Sequence, residues 1–565
     1  MSDLNQGTWT EQAQPVRTDS WGPQPARPAD VGMWPGQTVN TQRTPIKQET
    51  EETKKFKENY VFFAAASFIY AVFYAFCMFK NGSGITFPFF VGGGLVFLCL
   101  SLPKLGITLK KGSAFYMVAI ILLGISTFCT DDGRIIFFNK LGILLLMMSL
   151  LLKQFYNTAG WKLGKFLGSI VVMASASIAE LGRPFSDGRQ YRKSRPDKSN
   201  KKLTAVGLGL LIALPLLLVV LILLSDADAV FRQMTRKLLE NITIENIMNV
   251  LLRIAFIFFA SYAFLSYLCG KTLKEEVKDR RNGEPLTAIT VTGALTLLYL
   301  FFSGIQIAGL FLGKLKLPEG YTYAMYAREG FFQLLLVAFL NLVIVLMCLS
   351  FFRESKVLKA ILTVMSLCTF IMMASSAMRM IIYIYYYYMT FLRLLVLWGL
   401  ALLALLFLGI VINIFREKFC LFRYSMVVVT VLYLALSFSH PDYIIASINV
   451  GNATVQDIDT DAEKFRDRTP YHDYGFLSRL SADAAPVIVP YLQEQGYLMD
   501  AFFSDDPTGN ARDRTDGERK SRSKLDGFGY YWMENMKERT ENLGIRTFNT
   551  SRYTAWKLLR DAGRE

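Results

Sequence analysis

The sequence is poor in the side chains that most often bind metal ions or carry catalysis. Its 565 residues include only two histidines, His440 and His472. The seven cysteines show no CxxC spacing, so neither a zinc site nor a disulfide framework is indicated. Because two histidines also exclude a histidine-rich site, we predict that the protein has no metal site and no cofactor.

Motifs of nucleotide- and serine-dependent enzymes are also missing. The chain contains no HExxH, GxSxG, GxxxxGK[ST] or GxGxxG. The run GLFLGK at 309–314 is one residue short of a phosphate-binding loop and lies within an apolar segment. These absences leave a zinc, serine or nucleotide enzyme poorly supported, and we predict no catalytic residues.

Charged residues are scarce as well. They make up 19% of the chain against 52% hydrophobic residues, and the mean hydropathy is +0.31. The apolar residues form blocks of about 20, the length of a transmembrane helix, and the short alternating strands of a barrel are absent. The fold class predicted is all-α, a polytopic helical membrane protein with about eleven spans. These spans are 60–79, 86–102, 114–130, 135–152, 203–224, 247–268, 286–312, 328–352, 357–378, 391–415 and 421–438.

The basic residues indicate the topology. Lys and Arg are concentrated in every second connection between spans, as in 183–202 and 271–281. This positive-inside pattern predicts a multi-pass membrane protein with a cytoplasmic N-terminus and an extracytoplasmic C-terminus. The net charge of +15 therefore indicates topology and no nucleic-acid partner. The expected partners are the lipid bilayer, anionic lipids at the basic cytoplasmic loops, and a protein that binds the C-terminal domain.

Composition divides the chain into five parts. A Pro-, Gln- and Thr-rich disordered cytoplasmic leader (1–57) precedes a four-span bundle (58–152), a basic cytoplasmic loop with an interfacial helix (153–202), a seven-span core (203–439) and a small extracytoplasmic helical domain (440–565). The segment 165–181 is nearly long enough to span. We favour an interfacial or re-entrant helix there, because a span would place the most basic loop outside.

The stretch LLSDADAVF at 223–231 places Asp226 and Asp228 directly after an apolar run. Two interpretations stay open. Ser225 to Asp228 fits a capping box that starts a helix. Alternatively, the two carboxylates bind a cation or proton at the outer mouth of the bundle, although two carboxylates alone are too few for a calcium site.

Polar residues inside the outer halves of spans are the remaining candidates, because burying an ionisable group in a bilayer is costly. Arginines there can instead reach lipid phosphates, and Glu329 can pair with an arginine. We predict an outward-facing polar cluster at the outer ends of the spans. Its members are Asp226, Asp228, Arg253, Gln306, Arg328, Glu329, Gln333, Arg379, His440 and Asp442.

Several stretches together resemble a bacterial integral-membrane family known as a domain of unknown function. They include LLSDADAVF, YAREGFFQLLLVAFLNL (326–342), SAMRMIIYIYYYYMTFLRLLVLW (376–398), HPDYIIASINVGNA (440–453), LSADAAPV (480–487) and FNTSRYTAWKLL (548–559). The resemblance covers about 203–560. It implies a multi-pass protein of the bacterial plasma membrane and no particular activity. The family carries Asn-Pro-Asp where this chain has His440, Pro441 and Asp442.

Three functions are compatible with this sequence. The first is a non-enzymatic sensor, envelope-stress or assembly component whose outer polar cluster is closed by the C-terminal domain. The second is a transporter or channel for a small ion or solute, which needs a polar path through the bilayer. The third is a lipid- or glycan-modifying membrane enzyme that uses Asp226, Asp228 or Glu329 as acid and base.

Overall fold

The computed structural model describes residues 49–158, 161, 163–194, 244–273, 281–308, 330–416, 419–451, 474–494, 516–541 and 543–562, with isolated positions between 213 and 228. Within these residues the regular elements are helices, with one isolated bridge between Gly283 and Phe352. The all-α class predicted from the apolar blocks is therefore confirmed for the part of the chain that is described.

In the described part of the chain, thirteen α-helices precede the C-terminal helices. They are α1 (Glu51–Glu58), α2 (Tyr60–Met78), α3 (Thr86–Lys104), α4 (Ser113–Cys129), α5 (Gly133–Phe155), α6 (Leu163–Ala176), α7 (Arg183–Ser194), α8 (Ile244–Cys269), α9 (Pro285–Gln306), α10 (Phe331–Phe351), α11 (Lys356–Tyr387), α12 (Phe391–Phe415) and α13 (Leu421–Phe438). Nine of them in the described ranges are long and apolar enough to cross a membrane: α2, α3, α5 and α8 to α13. The chain is thus a multi-pass membrane protein.

The predicted spans agree closely with these helices. The predicted span 203–224 lies almost entirely outside the described residues. Each of the others coincides with one helix, and the largest difference at an end is in α11, which continues to Tyr387 beyond the predicted 378. The helix at 114–130 is α4, which has 17 residues and is shorter than the other spans. The segment 165–181 falls in α6 and a following 3₁₀ turn, and the chain bends by 56° between that turn and α7.

Two hydrophobic cores hold the helices together. One core joins α1 to α6 with α8, and it includes Phe63 of α2 and Tyr262 of α8. The other joins α9 to α12 with the helices that follow α13. Helix α13 packs against both α4 and α12. Where α13 meets α4, the Ser126 hydroxyl lies 2.5 Å from that of Ser437, and Tyr433 of α13 donates to Asn139 of the neighbouring α5 at 2.7 Å.

Five helices form what we call the tail: α14 (Pro441–Gly451), α15 (Tyr474–Leu477), α16 (Ala485–Glu494), α17 (Asp516–Thr540) and α18 (Thr550–Ala562). They pack on one another, and Trp532 of α17, Leu559 of α18 and Ile488 of α16 are buried among them. The tail also contacts α4 and α12. These contacts bring polar tail residues against the loops that connect the membrane helices.

Candidate functional site

The short loop from Thr130 to Asp132, between α4 and α5, is buried although it is polar. Thr130 is fully inaccessible, and Asp131 and Asp132 are each 2% exposed. Asp132 caps the N-terminus of α5 by accepting from the Arg134 backbone N–H at 2.9 Å. Its own N–H donates to the Thr130 hydroxyl at 3.1 Å. The cap and turn fix Asp131 so that its carboxylate faces the tail.

Asp131 receives two arginines from different tail helices. Its carboxylate accepts from Arg539 Nη1 of α17 at 2.6 Å and from Arg552 Nε of α18 at 2.5 Å. The backbone N–H of Ala482 donates to it as well, at 3.3 Å. The Asp131 side chain has no exposed surface, whereas both arginines are about 30% exposed. A buried carboxylate is stable only when it is paired in this way.

Asp483 makes the reciprocal contact, from the tail to the loop. It accepts from the Thr130 hydroxyl, from the Ser551 hydroxyl and from the Asp131 N–H, the last at 3.1 Å. His440 Nδ1 lies 3.6 Å from the same carboxylate. Burial opposes ionisation of Asp483, but the hydrogen bonds from His440, Ser551 and Thr130 outweigh burial and lower its pKa. The Asp483 carboxylate is therefore held ionised inside the interface.

Arg134, at the start of α5, links the loop to a third carboxylate. It binds Asp132 through two nitrogens, at 2.9 and 2.8 Å, and also donates to Asp442 of α14. Its guanidinium lies 4.0 Å from the ring centre of Phe391. Asp442 accepts from the Ser481 N–H at 2.9 Å. Burial and the nearby Asp132 charge raise the pKa of Asp442, and Arg134 opposes this change.

These residues form one network, which we call the aspartate cluster. It consists of Asp131, Asp132, Asp442 and Asp483 with Arg134, His440, Arg539 and Arg552. Four carboxylates thus face three guanidinium groups and one imidazole. Protonation of the imidazole brings the cluster to neutrality. Consistent with this balance, the hydrogen bond and charge of Asp483 raise the pKa of His440 despite burial.

Two further groups of hydrogen bonds connect the tail to inter-helix loops on either side of the aspartate cluster. In the loop between α2 and α3, Asn81 donates to the Arg546 carbonyl at 3.2 Å and Ile85 donates its N–H to Phe548 at 2.8 Å. Between α11 and α12, the Met389 backbone exchanges two hydrogen bonds with the Asn449 side chain of α14, at 2.7 and 3.0 Å. The tail is therefore fixed at three separate inter-helix loops.

A different set of buried polar side chains lies within the candidate spans α9, α10 and α11. We call it the polar seam. The polar residues buried along α9 are Thr292, Thr296, Tyr299, Ser303 and Gln306. Tyr299 donates to Asn341 of α10 at 2.9 Å, and Asn341 donates to Thr369 of α11 at 3.0 Å. Near the tail end, Ser375 donates to Gln306 at 2.6 Å. The polar seam extends along most of α9.

Two of the residues predicted to form an outer polar cluster, His440 and Asp442, belong to the aspartate cluster. Gln306 is buried, but it lies in the polar seam. Arg379 is also buried, on α11, with Nη1 3.2 Å from the point where a Cβ on Gly330 would lie. These four residues share one end of the bundle without forming a single site.

The other predicted residues are separate from these groups or outside the described chain. Arg253 is exposed and donates to the Met78 carbonyl at 3.5 Å, and Gln333 is exposed on α10. Asp228 is exposed, and its N–H donates to the Leu224 carbonyl at 3.2 Å, which is a helical i to i−4 bond. Asp226, Arg328 and Glu329 lie outside the described residues, as does Ser225 of the proposed capping box.

Most of the aspartate cluster was missed from the sequence. Asp131, Asp132 and Arg134 stand in the run CTDDGR between two spans, and three charged residues in so short a connection were a usable signal. Asp483 and Arg552 occur in stretches that carry the family resemblance, LSADAAPV and FNTSRYTAWKLL. No local pattern singles out Arg539, because its partner lies 408 residues away in the chain.

The fold and the two polar groups together define a multi-pass helical membrane protein whose C-terminal helices cover loops at one end of the bundle. A family model described as a domain of unknown function, DUF4153, matches residues 117–491. That range is more than half of the chain, and the chain belongs to this family. The match includes the four aspartates of the aspartate cluster and ends before Arg539 and Arg552. No curated protein and no solved structure matches significantly.

Proposed function

We propose that the protein is a non-enzymatic sensor or assembly component of the bacterial plasma membrane, in which the tail is an extracytoplasmic domain latched to the membrane helices by the aspartate cluster. The observation that carries this proposal is the Asp131 carboxylate, which has no exposed surface and binds one arginine from each of two tail helices. Removal of one partner of such a pair is strongly destabilising, so the tail and the bundle depend on each other.

The same enclosure argues against catalysis by these carboxylates. An acid or base must come within hydrogen-bond reach of its substrate. Asp131 and Asp483 are instead occupied by N–H and O–H donors from the loop and the tail, and their side chains have no exposed surface. Docking of the tail on the membrane helices requires only that the buried polar groups of the interface are hydrogen-bonded, as they are here.

The distribution of basic residues supports an outward tail. The tail covers the connections α2–α3, α4–α5 and α11–α12. The connections at the other ends of the same helices carry Lys110 and Arg353, and Lys104 and Lys356 lie at the adjoining helix ends. Basic connections stay in the cytoplasm, so the covered loops and the tail belong outside. An outward tail is also the part of the chain available to an extracytoplasmic protein partner.

Hydrogen exchange on the full-length protein in lipid nanodiscs tests the latch. Asp483→Asn removes the charge that holds Thr130, Ser551 and His440 together. We expect faster exchange in three places at once: the loop 81–86, the loop 130–132 and helix α18. Helices α9 to α12 should keep the protection of the unchanged protein, because their own backbone hydrogen bonds are untouched.

Asp561→Asn is the matched control, because it makes the same chemical change on α18. The Asp561 side chain is 50% exposed, and among the described residues it pairs only with its neighbour Arg560. Its exchange pattern should equal that of the unchanged protein. Unchanged protection of the loop 130–132 in Asp483→Asn, or loss confined to residues next to 483, would contradict a latch.

The polar seam favours a second candidate function, transport of a small ion or solute. A transporter needs polar groups across the bilayer, and the seam extends from Thr292, two turns into α9, to Gln306 at its last residue, with Asn341 bound between them. Asn341→Leu removes the central amide. The measurement is the flux of a cation or proton into proteoliposomes, followed with a fluorescent reporter. Flux that occurs with the unchanged protein and is lost in Asn341→Leu would support transport. If neither protein shows flux, transport is ruled out as the function.

A further inference from the structure

Ile545 stands in the turn between α17 and α18, and its side chain is almost wholly exposed. Its exposed fraction is 95%, whereas the other exposed large apolar side chains of the described residues reach at most 71%. A single exposed apolar residue is common on protein surfaces and has no meaning by itself. The position of the turn therefore decides what the Ile545 side chain contacts.

The turn that carries Ile545 is fixed to the ends of two membrane helices. The carbonyl of the next residue, Arg546, accepts from Asn81 Nδ2 at 3.2 Å and from the hydroxyl of Thr86 at 3.4 Å. Thr86 is the first residue of α3. Arg546 Nη1 donates to the Phe76 carbonyl at 3.0 Å, in the last turn of α2. Ile545 therefore lies at the level where α2 and α3 leave the bilayer.

An exposed apolar face of α2 leads up to this turn. Ile69, Val72 and Phe76 are 68%, 42% and 63% exposed. Spacings of three and four residues place them on one face of the helix, which faces lipid because α2 is apolar and long enough to cross the membrane. Phe76 also supplies the carbonyl that binds Arg546, so this face ends beside the turn. Ile545 extends a surface that is already in contact with lipid.

A strip of aromatic rings begins at the outer end of another helix, beside the same turn. The ring centre of Phe548 lies 6.0 Å from that of Phe128, one residue before the end of α4, and 5.3 Å from that of Tyr553. Tyr553 stacks on Trp556 at 5.9 Å, and Tyr553 is 42% exposed. Tyrosine and tryptophan are enriched where a bilayer meets water. The first turns of α18 thus present the side chains that suit this boundary.

These surroundings favour lipid as the partner of the turn. Transfer of an exposed isoleucine side chain from water to an apolar environment is favourable. A protein partner would have to bind at the level of the lipid head groups, in competition with the lipids that surround α2. An apolar side chain flanked by tyrosine and tryptophan is also typical of segments that bind in the membrane interface.

We propose that the turn at Ile545 inserts into the leaflet on the tail side of the membrane, with Ile545 among the upper acyl chains and Tyr553 and Trp556 at the head groups. The partner is the phospholipid bilayer. This contact goes beyond the latch, because it depends on apolar burial and includes none of the residues of the aspartate cluster. It gives the tail a second attachment, to lipid, at the outer ends of α2 and α3.

Fluorescence quenching by lipid, measured on the full-length protein in nanodiscs, tests the proposal. Ile545→Cys is labelled with an environment-sensitive fluorophore, and all variants also carry Cys420→Ser because Cys420 is exposed. The quencher is phosphatidylcholine with a spin label near the top of one acyl chain. Tyr531→Cys is the reference, because Tyr531 of α17 is also a large tail side chain and is 64% exposed. We expect quenching at position 545 to be at least about threefold stronger than at position 531.

Tyr553→Cys is a second reporter, which keeps the proposal testable if Ile545→Cys folds poorly. Phosphatidylcholine with a spin label on its head group should quench position 553 at least about twofold more than position 531. Quenching at 545 and 553 that equals the quenching at 531 would overturn the proposal. Emission at 545 that is typical of an apolar site, without quenching by lipid, would overturn the bilayer as partner and indicate that protein covers Ile545.

Discussion

The two ends of the membrane bundle contain the same chemical unit in different surroundings. At the tail end, Asp131 binds Arg539 and Arg552, and at the opposite end Glu354 binds Arg281 and Lys359. Each is one carboxylate between two cations at similar distances. The Asp131 side chain is wholly buried, whereas that of Glu354 is 45% exposed.

This difference in burial assigns different roles to the two ends. Exposed ion pairs contribute about 1 kcal/mol or less, and water or another anion can replace one partner. Buried pairs are costly to break, because the remaining charge stays in a poorly solvated place. The ion pairs at the tail end are therefore suited to hold two parts of the protein together, whereas those at the opposite end contribute little to its stability.

Asp131→Asn should have the largest effect on this contrast. It keeps the side-chain shape but removes the charge from between two arginines, so the free energy of unfolding should fall by about 3 kcal/mol. Thermal or denaturant unfolding in a mild detergent measures the change. Asp561→Asn, at an exposed carboxylate of α18, should stay within about 0.5 kcal/mol of the unchanged protein. A similar loss in both variants would show that burial of Asp131 is not what matters.

Gly84→Ala should have the second-largest effect on stability. It acts on the contact between the α2–α3 loop and the tail, which is held by hydrogen bonds. A Cβ there would lie 2.6 Å from the Arg546 carbonyl oxygen and 2.7 Å from the Thr547 Cα, both of them backbone atoms. The loop must separate from the tail, at a cost of about 2 kcal/mol. Gly92→Ala, on α3 with nothing within 4 Å of the new Cβ, is the control. If both alanines leave the melting temperature unchanged, the close approach at Gly84 is absent in solution.

His440→Asn should have a smaller effect that depends on pH. The hydrogen bond with Asp483 raises the pKa of His440 above its usual 6.5. A raised pKa means that protonated His440 stabilises the docked tail fully below 6.5, and that this contribution is lost as the pH rises through the raised value. Asparagine tolerates the left-handed backbone of this position, where φ is 49°.

The melting temperature measured from about pH 6 to about pH 8.5 checks this prediction. The unchanged protein should lose stability across that window, and His440→Asn should flatten the loss. An equal slope in both proteins would assign the titration to another group.

Glu354→Gln should have the smallest effect on stability. Its carboxylate is 45% exposed, and water can solvate Arg281 and Lys359 after its removal, so the free energy of unfolding should change by about 0.5 kcal/mol or less. Unfolding in the same detergent as for Asp131→Asn gives the comparison directly. A loss as large as that of Asp131→Asn would place a buried structural pair at both ends and erase the contrast.

The membrane helices could be predicted well, because each one is a local signal. A block of about 20 apolar residues has only one stable arrangement in a bilayer, which is a helix. Predicted boundaries failed where composition changes gradually. Helix α11 continues to Tyr387, beyond the predicted end at 378, because Met380, Ile384 and neighbouring residues continue its buried face.

The aspartate cluster could be predicted only in part. His440 and Asp442 drew notice because they follow the last span directly, where a charged residue lies at the membrane surface. Asp131 and Arg552 are 421 residues apart, and no pattern in the sequence around either residue predicts that the two form a pair. Predictions from depth in the membrane also favoured residues inside spans, whereas four of the six buried charged residues in the described chain, Asp131, Asp132, Asp442 and Asp483, lie where the tail meets a loop.

A double-mutant cycle on Asp131 and Arg552 tests the central claim most directly. Asp131→Asn, Arg552→Gln and the double variant are compared through the exchange rate of the Ile85 amide, which donates to Phe548 across the interface with the tail. The same cycle on Glu354 and Arg281 is the reference, and it is read from the exchange rate of the Gly283 amide, which donates to the Phe351 carbonyl beside that pair. We predict a coupling free energy of at least about 1.5 kcal/mol for the buried pair and below about 0.5 kcal/mol for the exposed pair. Equal coupling in the two cycles would contradict a tail latched by buried charge.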